Sequence, residues 1–101
     1  MDRDLGKVYE SLVNIKHRWY VLGLQLGVET NKLDGIQSQF PQQPEMALLE
    51  VIKEWLKQTG KPCSWNVLVK ALRTNSVNEE KTAKYIEMSY ISHGGMFNDM
   101  G

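Results

Sequence analysis

The side chains that could carry out covalent chemistry in this chain are one cysteine and two histidines. Cys63 precedes Ser64, so a thiol and a hydroxyl are adjacent, and the histidines are His17 and His93. A catalytic nucleophile needs a general base within hydrogen-bond reach, and no motif around these residues indicates such a pair. We therefore interpret Cys63 as a small turn residue, His17 as part of an exposed basic turn and His93 as a solvated tail residue.

Metal and phosphate motifs are also missing from the sequence. No Cys-x-x-Cys or His-x-x-x-His spacing occurs, so no metal site is predicted. No GxGxxG or GK[ST] loop occurs, so no cofactor and no small-molecule ligand are predicted. Glu79 and Glu80 are adjacent carboxylates, but they fall in the first turn of a predicted helix, where they favour the helix dipole. The sequence therefore predicts a protein that is not an enzyme.

Length and charge favour a single neutral domain. The chain has 101 residues, enough for one hydrophobic core, and is 42% hydrophobic and 24% charged. Its 12 basic residues balance its 12 acidic residues, so no net field attracts nucleic acid or an anionic membrane. One cysteine excludes an internal disulfide. With no membrane-spanning run and no signal peptide in MDRDLGK, we expect a cytoplasmic domain.

A helical DNA-binding domain is the main alternative class for a small bundle. A recognition helix needs several long polar side chains on one exposed face, and the predicted fifth helix offers Asn66, Lys70 and Arg73. Overall neutrality argues against this interpretation, because phosphate contacts supply most of the affinity. A DNA-binding or other helical adaptor is thus the second interpretation, and an unrecognised small enzyme is the third.

Helical periodicity organises the first half of the chain, and strand signals are nearly absent. The first two predicted helices carry apolar stripes formed by Leu5, Val8, Leu12 and Ile15, then by Trp19, Leu22, Gly23 and Leu26. Gly23 on the inner face would let a neighbouring helix come close, and Gly27 is placed to end the second helix. A short third helix over about residues 29–39 is predicted to bury Leu33 and Ile36.

The second half contains three further helical patterns. The fourth helix, over residues 45–58, has an apolar face formed by Leu48, Leu49, Ile52, Trp55 and Leu56. Ser64 is the predicted N-cap of the fifth helix, whose stripe is Trp65, Leu68, Val69 and Leu72. The sixth helix is predicted to begin with a capping box from Ser76 to Glu79, with Asn78 as a competing N-cap, and to bury Ala83, Ile86 and Tyr90. Full burial is predicted for Trp55 and Trp19, and partial burial for Trp65.

The charges are unevenly distributed among these helices. Lys53, Lys57 and Lys61 lie at or near helical spacing and are predicted to form a basic strip, whereas Glu79 and Glu80 form an acidic corner. Opposite patches on a neutral domain favour head-to-tail contacts between like or related domains, and such contacts propagate rather than close. For any single residue, a solvated side chain with a local partner is the alternative.

Two segments resemble the death domain family. WYVLGLQLGVETNKLDGI resembles the motif in which a Trp is followed by Leu and then Leu-Gly, and the matching residues are Trp19, Leu22, Leu26, Gly27, Leu33 and Ile36. ALLEVIKEWLKQTGKPCSWNVLVKAL resembles the second half of the family through Leu48, Leu49, Trp55, Gly60, Cys63, Ser64, Ala71 and Leu72. The similarity spans roughly residues 4–90. The departures are Cys63, where the family more often has Ala, Gly35 in the third helix, and the tail after Tyr90.

The resemblance implies an all-α fold, a six-helix antiparallel Greek-key bundle over residues 1–91, followed by a flexible tail or linker over residues 92–101. It implies a non-catalytic module that joins other death domains, identical or related, in intracellular assemblies for cell death or innate immunity. No cofactor, metal, nucleic acid, membrane or small-molecule partner is implied.

Family members associate through three kinds of asymmetric contact, which the resemblance carries over by position. One sets the first and fourth helices against the second and third, another sets the fourth helix and its following turn against the fifth–sixth corner, and the last uses the third helix. The implied contact residues are Asp4, Lys7, Arg18, Lys32, Asp34, Glu50, Lys53, Glu54, Lys57, Lys61, Glu79 and Glu80. The predicted core residues are Trp19, Leu22, Leu26, Leu48, Ile52, Trp55, Leu68 and Leu72.

Overall fold

A computed structural model describes residues 5–58 and 64–91, and the regular elements of this part of the chain are all helices, joined by short turns, without strands. Its α-helices are α1 (Leu5–Leu12), α2 (Trp19–Gln25), α3 (Thr30–Gln39), α4 (Pro44–Lys57), α5 (Trp65–Leu72) and α6 (Glu80–Ile86). A 3-10 helix, Val13–Arg18, joins α1 to α2, and a π-helical turn, Glu87–Ile91, follows α6. The residues with predictions that lie outside the described part are Asp4, Gly60, Lys61, Cys63, His93 and the tail 92–101.

The helices pack around α4, which is the longest of them. It contacts α1, α2 and α3, while α6 packs against α1 and α5, and α2 also contacts α5. Because each helix has one apolar stripe, this arrangement encloses one core. The predicted all-α, six-helix Greek-key bundle is confirmed.

The predicted core residues are buried, with one exception. Trp55 is 1% exposed, and the other buried members are Leu22, Leu26, Leu48, Ile52, Leu68 and Leu72. The prediction of full burial is wrong for Trp19, which is only partly buried and packs against the rim of the core. As the first residue of α2, Trp19 projects from the end of the helix, and it meets Tyr20 edge to face at 5.5 Å.

Two glycines set the position and the end of α2. A Cβ atom on Gly23 would lie 2.6 Å from Leu33 Cδ2 and 3.3 Å from Val51 Cγ1, so a side chain would collide with α3 and α4. Gly27 has φ of 90° and follows the last turn, where Val28 N donates to Gly23 O at 3.0 Å. This is a glycine-terminated Schellman motif. Both glycine predictions are confirmed.

The starts of α5 and α6 differ in how well they were predicted. Ser64 caps α5 as expected, because Val67 N donates to Ser64 Oγ at 3.3 Å. The capping box predicted for α6 is wrong, since α6 has Glu79 as its N-cap without a side-chain cap hydrogen bond. The physical reason lies in Val77, which is fully buried and draws the preceding turn inwards.

Thr74 and Asn78 shape that turn instead of Ser76. Thr74 Oγ1 donates to Ala71 O at 2.9 Å and accepts from Val77 N at 3.4 Å. Asn78 adopts φ of 50°, a left-handed conformation that asparagine tolerates better than most residues, and is therefore not an N-cap.

The two tryptophans of the second half have different environments. Trp55 lies inside the core, whereas Trp65 is partly buried, as predicted, and stacks on Tyr90 with ring centroids 4.1 Å apart. Burial is the main cause of the raised pKa of Tyr90. This stack fastens the π-helical turn to the first turn of α5.

Candidate protein-interaction surfaces

The described residues contain no grouping of His, Cys, Asp and Glu that could hold a metal ion. His17 is exposed on the 3-10 helix. Among the described helices, none has the length and apolar character needed to cross a membrane. The candidate functional features are charged surfaces, and two of them were predicted: the α4 strip and the corner between α5 and α6.

The lysines of α4 line one face of the helix, and each has a carboxylate partner. Lys53 Nζ lies 3.4 Å from Glu50 Oε2, and Lys57 Nζ lies 3.2 Å from Glu54 Oε2. Lys32 on α3 places a second ammonium 3.3 Å from Glu54 Oε1. In its described part, the predicted basic strip is thus a row of ion pairs rather than a row of free cations.

The exposure of these partners is unequal. Lys57 is 68% exposed against 22% for Glu54, and Lys53 is 48% exposed against 31% for Glu50. The ammonium groups therefore form the outer layer of the α4 face and the carboxylates the inner layer. Burial disfavours the charge of Glu54, but hydrogen bonds from Lys57 and Lys32 outweigh it and lower the pKa of that carboxyl.

The acidic corner also has internal partners. Arg18 Nε donates to Glu79 Oε2 at 3.0 Å, and Arg73 donates to both carboxylate oxygens of Glu80, at 2.9 and 3.0 Å. Glu80 is 61% exposed against 35% for Arg73, whereas Glu79 is 22% exposed against 39% for Arg18. Glu80 is therefore the outward anion of the corner, and Glu79 lies beneath an arginine.

Arg73 clamps a second carboxylate in addition to Glu80. It donates to the two oxygens of Glu87 at 2.8 and 2.9 Å, so one guanidinium joins the end of α5, the start of α6 and the π-helical turn. Hydrogen bonds from Arg73 are the main reason that the pKa of Glu87 is lowered, and the same bonds raise the pKa of Arg73. We name this set of three side chains the Arg73 clamp.

The Arg73 clamp should make stability depend on pH. A carboxyl whose pKa is lower in the folded state stabilises the fold above its unfolded pKa, about 4.3 for Glu, and this contribution is lost as the pH falls through the folded pKa. We expect Arg73→Gln to lower the free energy of unfolding at neutral pH and to reduce its loss on acidification. Urea titrations at neutral pH and below about pH 4 would measure this.

Arg73→Lys is the matched control, because it keeps the positive charge but cannot make the paired donors of a guanidinium. It should lie between the wild type and Arg73→Gln at neutral pH. An identical acid response in all three proteins would show that the Arg73 clamp has no effect on stability.

Two further predicted contact residues, Lys7 and Asp34, lie outside the α4 face and the α5–α6 corner, and the α4 face itself borders a groove. Lys7 is exposed on α1. A groove of about 310 Å³ between α1 and α4 is lined by Leu5, Glu50, Lys53, Leu56 and Lys57. Asp34 on α3 accepts a hydrogen bond of 2.6 Å from the Tyr20 hydroxyl, which raises the pKa of Tyr20. The structure therefore brings Glu50 and Lys53 to the α1–α4 groove and leaves Asp34 on the α2–α3 face.

Several of the ion pairs that organise these surfaces were not predicted from the sequence. Lys16 reaches Glu45 at 2.9 Å and fixes the 3-10 helix to the start of α4. The hydrogen bond from Lys16 is the first cause of the lowered pKa of Glu45. Arg18 and Glu79 are 61 positions apart in sequence. Only the Arg73 clamp had a signal in the sequence, the seven-residue spacing of positions 73, 80 and 87, and these positions lie on three different elements.

The fold and its surfaces define a small helical domain whose charged faces are formed by ion pairs. The Death domain family model matches residues 2–86, and this chain belongs to that family, whose members are non-catalytic protein–protein interaction modules. No curated protein and no solved structure matches the sequence significantly.

Proposed function

We propose that this domain associates with copies of itself or with related death domains through an asymmetric contact. The α4 face of one molecule, with Lys53 and Lys57, meets the α5–α6 corner of the next, and Lys61, which follows α4 in the sequence, adds to the positive charge in this proposal. The observation that carries this proposal is the unequal exposure within the ion pairs. The outer charge is positive on α4, where Lys57 is 68% exposed, and negative at the corner, where Glu80 is 61% exposed.

Internal pairing is compatible with such a contact. Exposed ion pairs contribute about 0–1 kcal/mol each, so exchanging an internal partner for one on a neighbouring molecule costs little. Each molecule would use one patch at each end, which leaves the complementary patches free at the ends of the assembly. A heterologous contact of this kind generates a ring if its rotation closes and a filament otherwise.

The role that fits such an assembly is that of a cytoplasmic scaffold for signalling in cell death or innate immunity. This part of the proposal rests on membership of the death domain family. The DNA-binding alternative is weakened by Arg73, because two carboxylates neutralise this residue of the predicted basic helix face.

The test of the contact is a pair of charge reversals. We expect Lys57→Glu with Lys61→Glu to weaken self-association with little change in the melting temperature, because the Lys57–Glu54 ion pair that it breaks lies at the surface, where such pairs contribute only about 0–1 kcal/mol. Multi-angle light scattering across a concentration series would measure the association, with negative-stain microscopy of any large material. Higher salt should weaken the wild type in the same direction, since exposed charges are screened.

Compensation would distinguish this contact from a general effect of charge. Adding Glu80→Lys to the double variant should restore part of the association, because the reversed corner again meets an opposite charge. The matched control adds Glu10→Lys to the double variant in place of Glu80→Lys, which makes the same change of charge at an exposed position of α1. If the double Lys variant associates as strongly as the wild type at every salt concentration, the proposed contact is not the one used.

A further inference from the structure

Two exposed apolar side chains lie three residues apart, Tyr85 on the outer side of α6 and Met88 on the π-helical turn that follows it. Tyr85 is 54% exposed and Met88 is 61% exposed, whereas Ile86 between them is fully buried. They are the most exposed large apolar side chains in the part of the chain that the structure describes. Single exposed apolar residues are ordinary, but two on one face begin a patch.

Two lysines share this face. Lys81 lies four residues before Tyr85 within α6, which is the spacing of neighbours on an α-helix surface. Lys84, next to Tyr85, is also exposed and lies four residues before Met88, across the junction with the π-helical turn. Neither forms an ion pair within the described residues, although both arginines there do so. The charge of Lys84 makes only a minor contribution to the lowered pKa of Glu87, for which the hydrogen bonds from Arg73 are the main cause.

A groove runs beside these side chains. It has a volume of about 390 Å³, lies between α1 and α6, and is lined by Glu10, Ser11, Asn14, Lys81, Thr82 and Tyr85. The groove therefore offers polar groups on its α1 side and the Tyr85 ring on its α6 side. A segment lying along α6 would contact both the groove and the exposed pair.

We propose that the α6 face, formed by Lys81, Lys84, Tyr85 and Met88, binds an acidic amphipathic helix of another protein. Carboxylates of the partner would pair with the two ammonium groups, and its apolar stripe would cover Tyr85 and Met88. This surface is separate from the assembly contact proposed above, so either proposal can fail alone.

Charge complementarity favours this occupant over two others. Binding to an anionic membrane typically uses clusters of about 4–8 basic residues, and this face has two, with Glu10 and Glu87 beside it. A second copy of the chain is also a poor match, because the two carboxylates spaced one turn apart on α4, Glu50 and Glu54, are only 31% and 22% exposed and lie beneath the lysines of that face.

The probe is a fluorescein-labelled helical peptide of about 16 residues with leucine on one face and glutamate beside it, a length near the minimum for helicity. Fluorescence anisotropy with the full chain should give saturable binding. Lys81→Glu with Lys84→Glu should weaken it by about tenfold or more, because two attractions become repulsions. Tyr85→Ser with Met88→Ser should weaken it similarly by removing the apolar contact.

The matched comparison is Lys84→Glu against Lys70→Glu, which makes the same change at an exposed lysine of α5. Lys81→Gln with Lys84→Gln replaces the reversed pair if that variant fails to fold by circular dichroism. Equal weakening by Lys70→Glu, or no saturable binding, would overturn the proposal. So would tighter binding of a peptide with lysine in place of glutamate, or lysine-dependent sedimentation with phosphatidylserine vesicles in the absence of peptide binding.

Discussion

Replacing Trp55 by alanine is expected to lower the free energy of unfolding by about 3–5 kcal/mol, a large part of the 5–15 kcal/mol typical of a domain. Trp55 is 1% exposed on the inner face of α4, between helices that contact α4 on several sides. Truncation removes the largest side chain of the core and leaves a cavity that the surrounding helices can fill only in part. Denaturant unfolding followed by circular dichroism would measure the loss.

Trp65→Ala is the natural comparison for this substitution. Trp65 is partly buried and stacks on Tyr90 at the edge of the bundle, so its removal should cost clearly less than the removal of Trp55. Trp19→Ala should also fall below Trp55→Ala, because Trp19 is only partly buried. A melting temperature that Trp55→Ala leaves unchanged would contradict the assignment of the inner face of α4.

The apolar stripes were predictable because they depend on local spacing. Leu48, Ile52 and Trp55 recur at helical intervals, and burial of that face follows from the period alone. The end of α2 was predictable for a similar reason, since Gly27 supplies a positive φ that few other residues adopt. Family resemblance then added the order in which the helices pack.

The start of α6 was not predictable from local pattern. The segment from Ser76 to Glu79 has the residue types of a capping box, but the burial of Val77 imposes a different backbone path. Tertiary burial therefore outweighed a capping preference of about 1 kcal/mol. Trp19 is a second case that local pattern did not predict. It lies on the predicted apolar stripe, but its position as the first residue of α2 leaves it at the rim of the core.

The sign of the charge on each candidate surface was predictable, but the ion-pair partners of the charged residues were not. The sequence places Lys57 and Glu80 on the correct elements, yet it does not reveal that Glu54 and Arg73 contact them. Such pairs depend on how distant helices meet and on the rotamers of long side chains. The exposure difference within each pair, which decides the outer charge of a surface, needs coordinates.

Gly23→Val is expected to lower the free energy of unfolding by about 1–3 kcal/mol through overpacking. A Cβ atom at this position would already lie 2.6 Å from Leu33 Cδ2, and Leu33 and Val51 are both fully buried. Both contacts are made by side-chain atoms packed in the core, so either these side chains leave their preferred rotamers or α2 shifts away from α3 and α4. Gly23→Ala should cost less, because alanine favours the helix over glycine by up to about 1 kcal/mol.

Gly35→Ala provides the matched control for the helix preference. A Cβ atom at Gly35 on α3 meets nothing within 4 Å, so this variant should gain stability by about 0.5–1 kcal/mol. The double variant Gly23→Val with Leu33→Ala should lose less free energy of unfolding than the two single variants lose together. Truncation of Leu33 removes the clash with Val at position 23, and that Val partly fills the cavity that the truncation leaves. Strictly additive effects would mean that Gly23 and Leu33 do not share the close contact between α2 and α3. This departure from additivity tests whether Gly23 is required for close helix packing, because an effect of helix preference alone would not depend on Leu33.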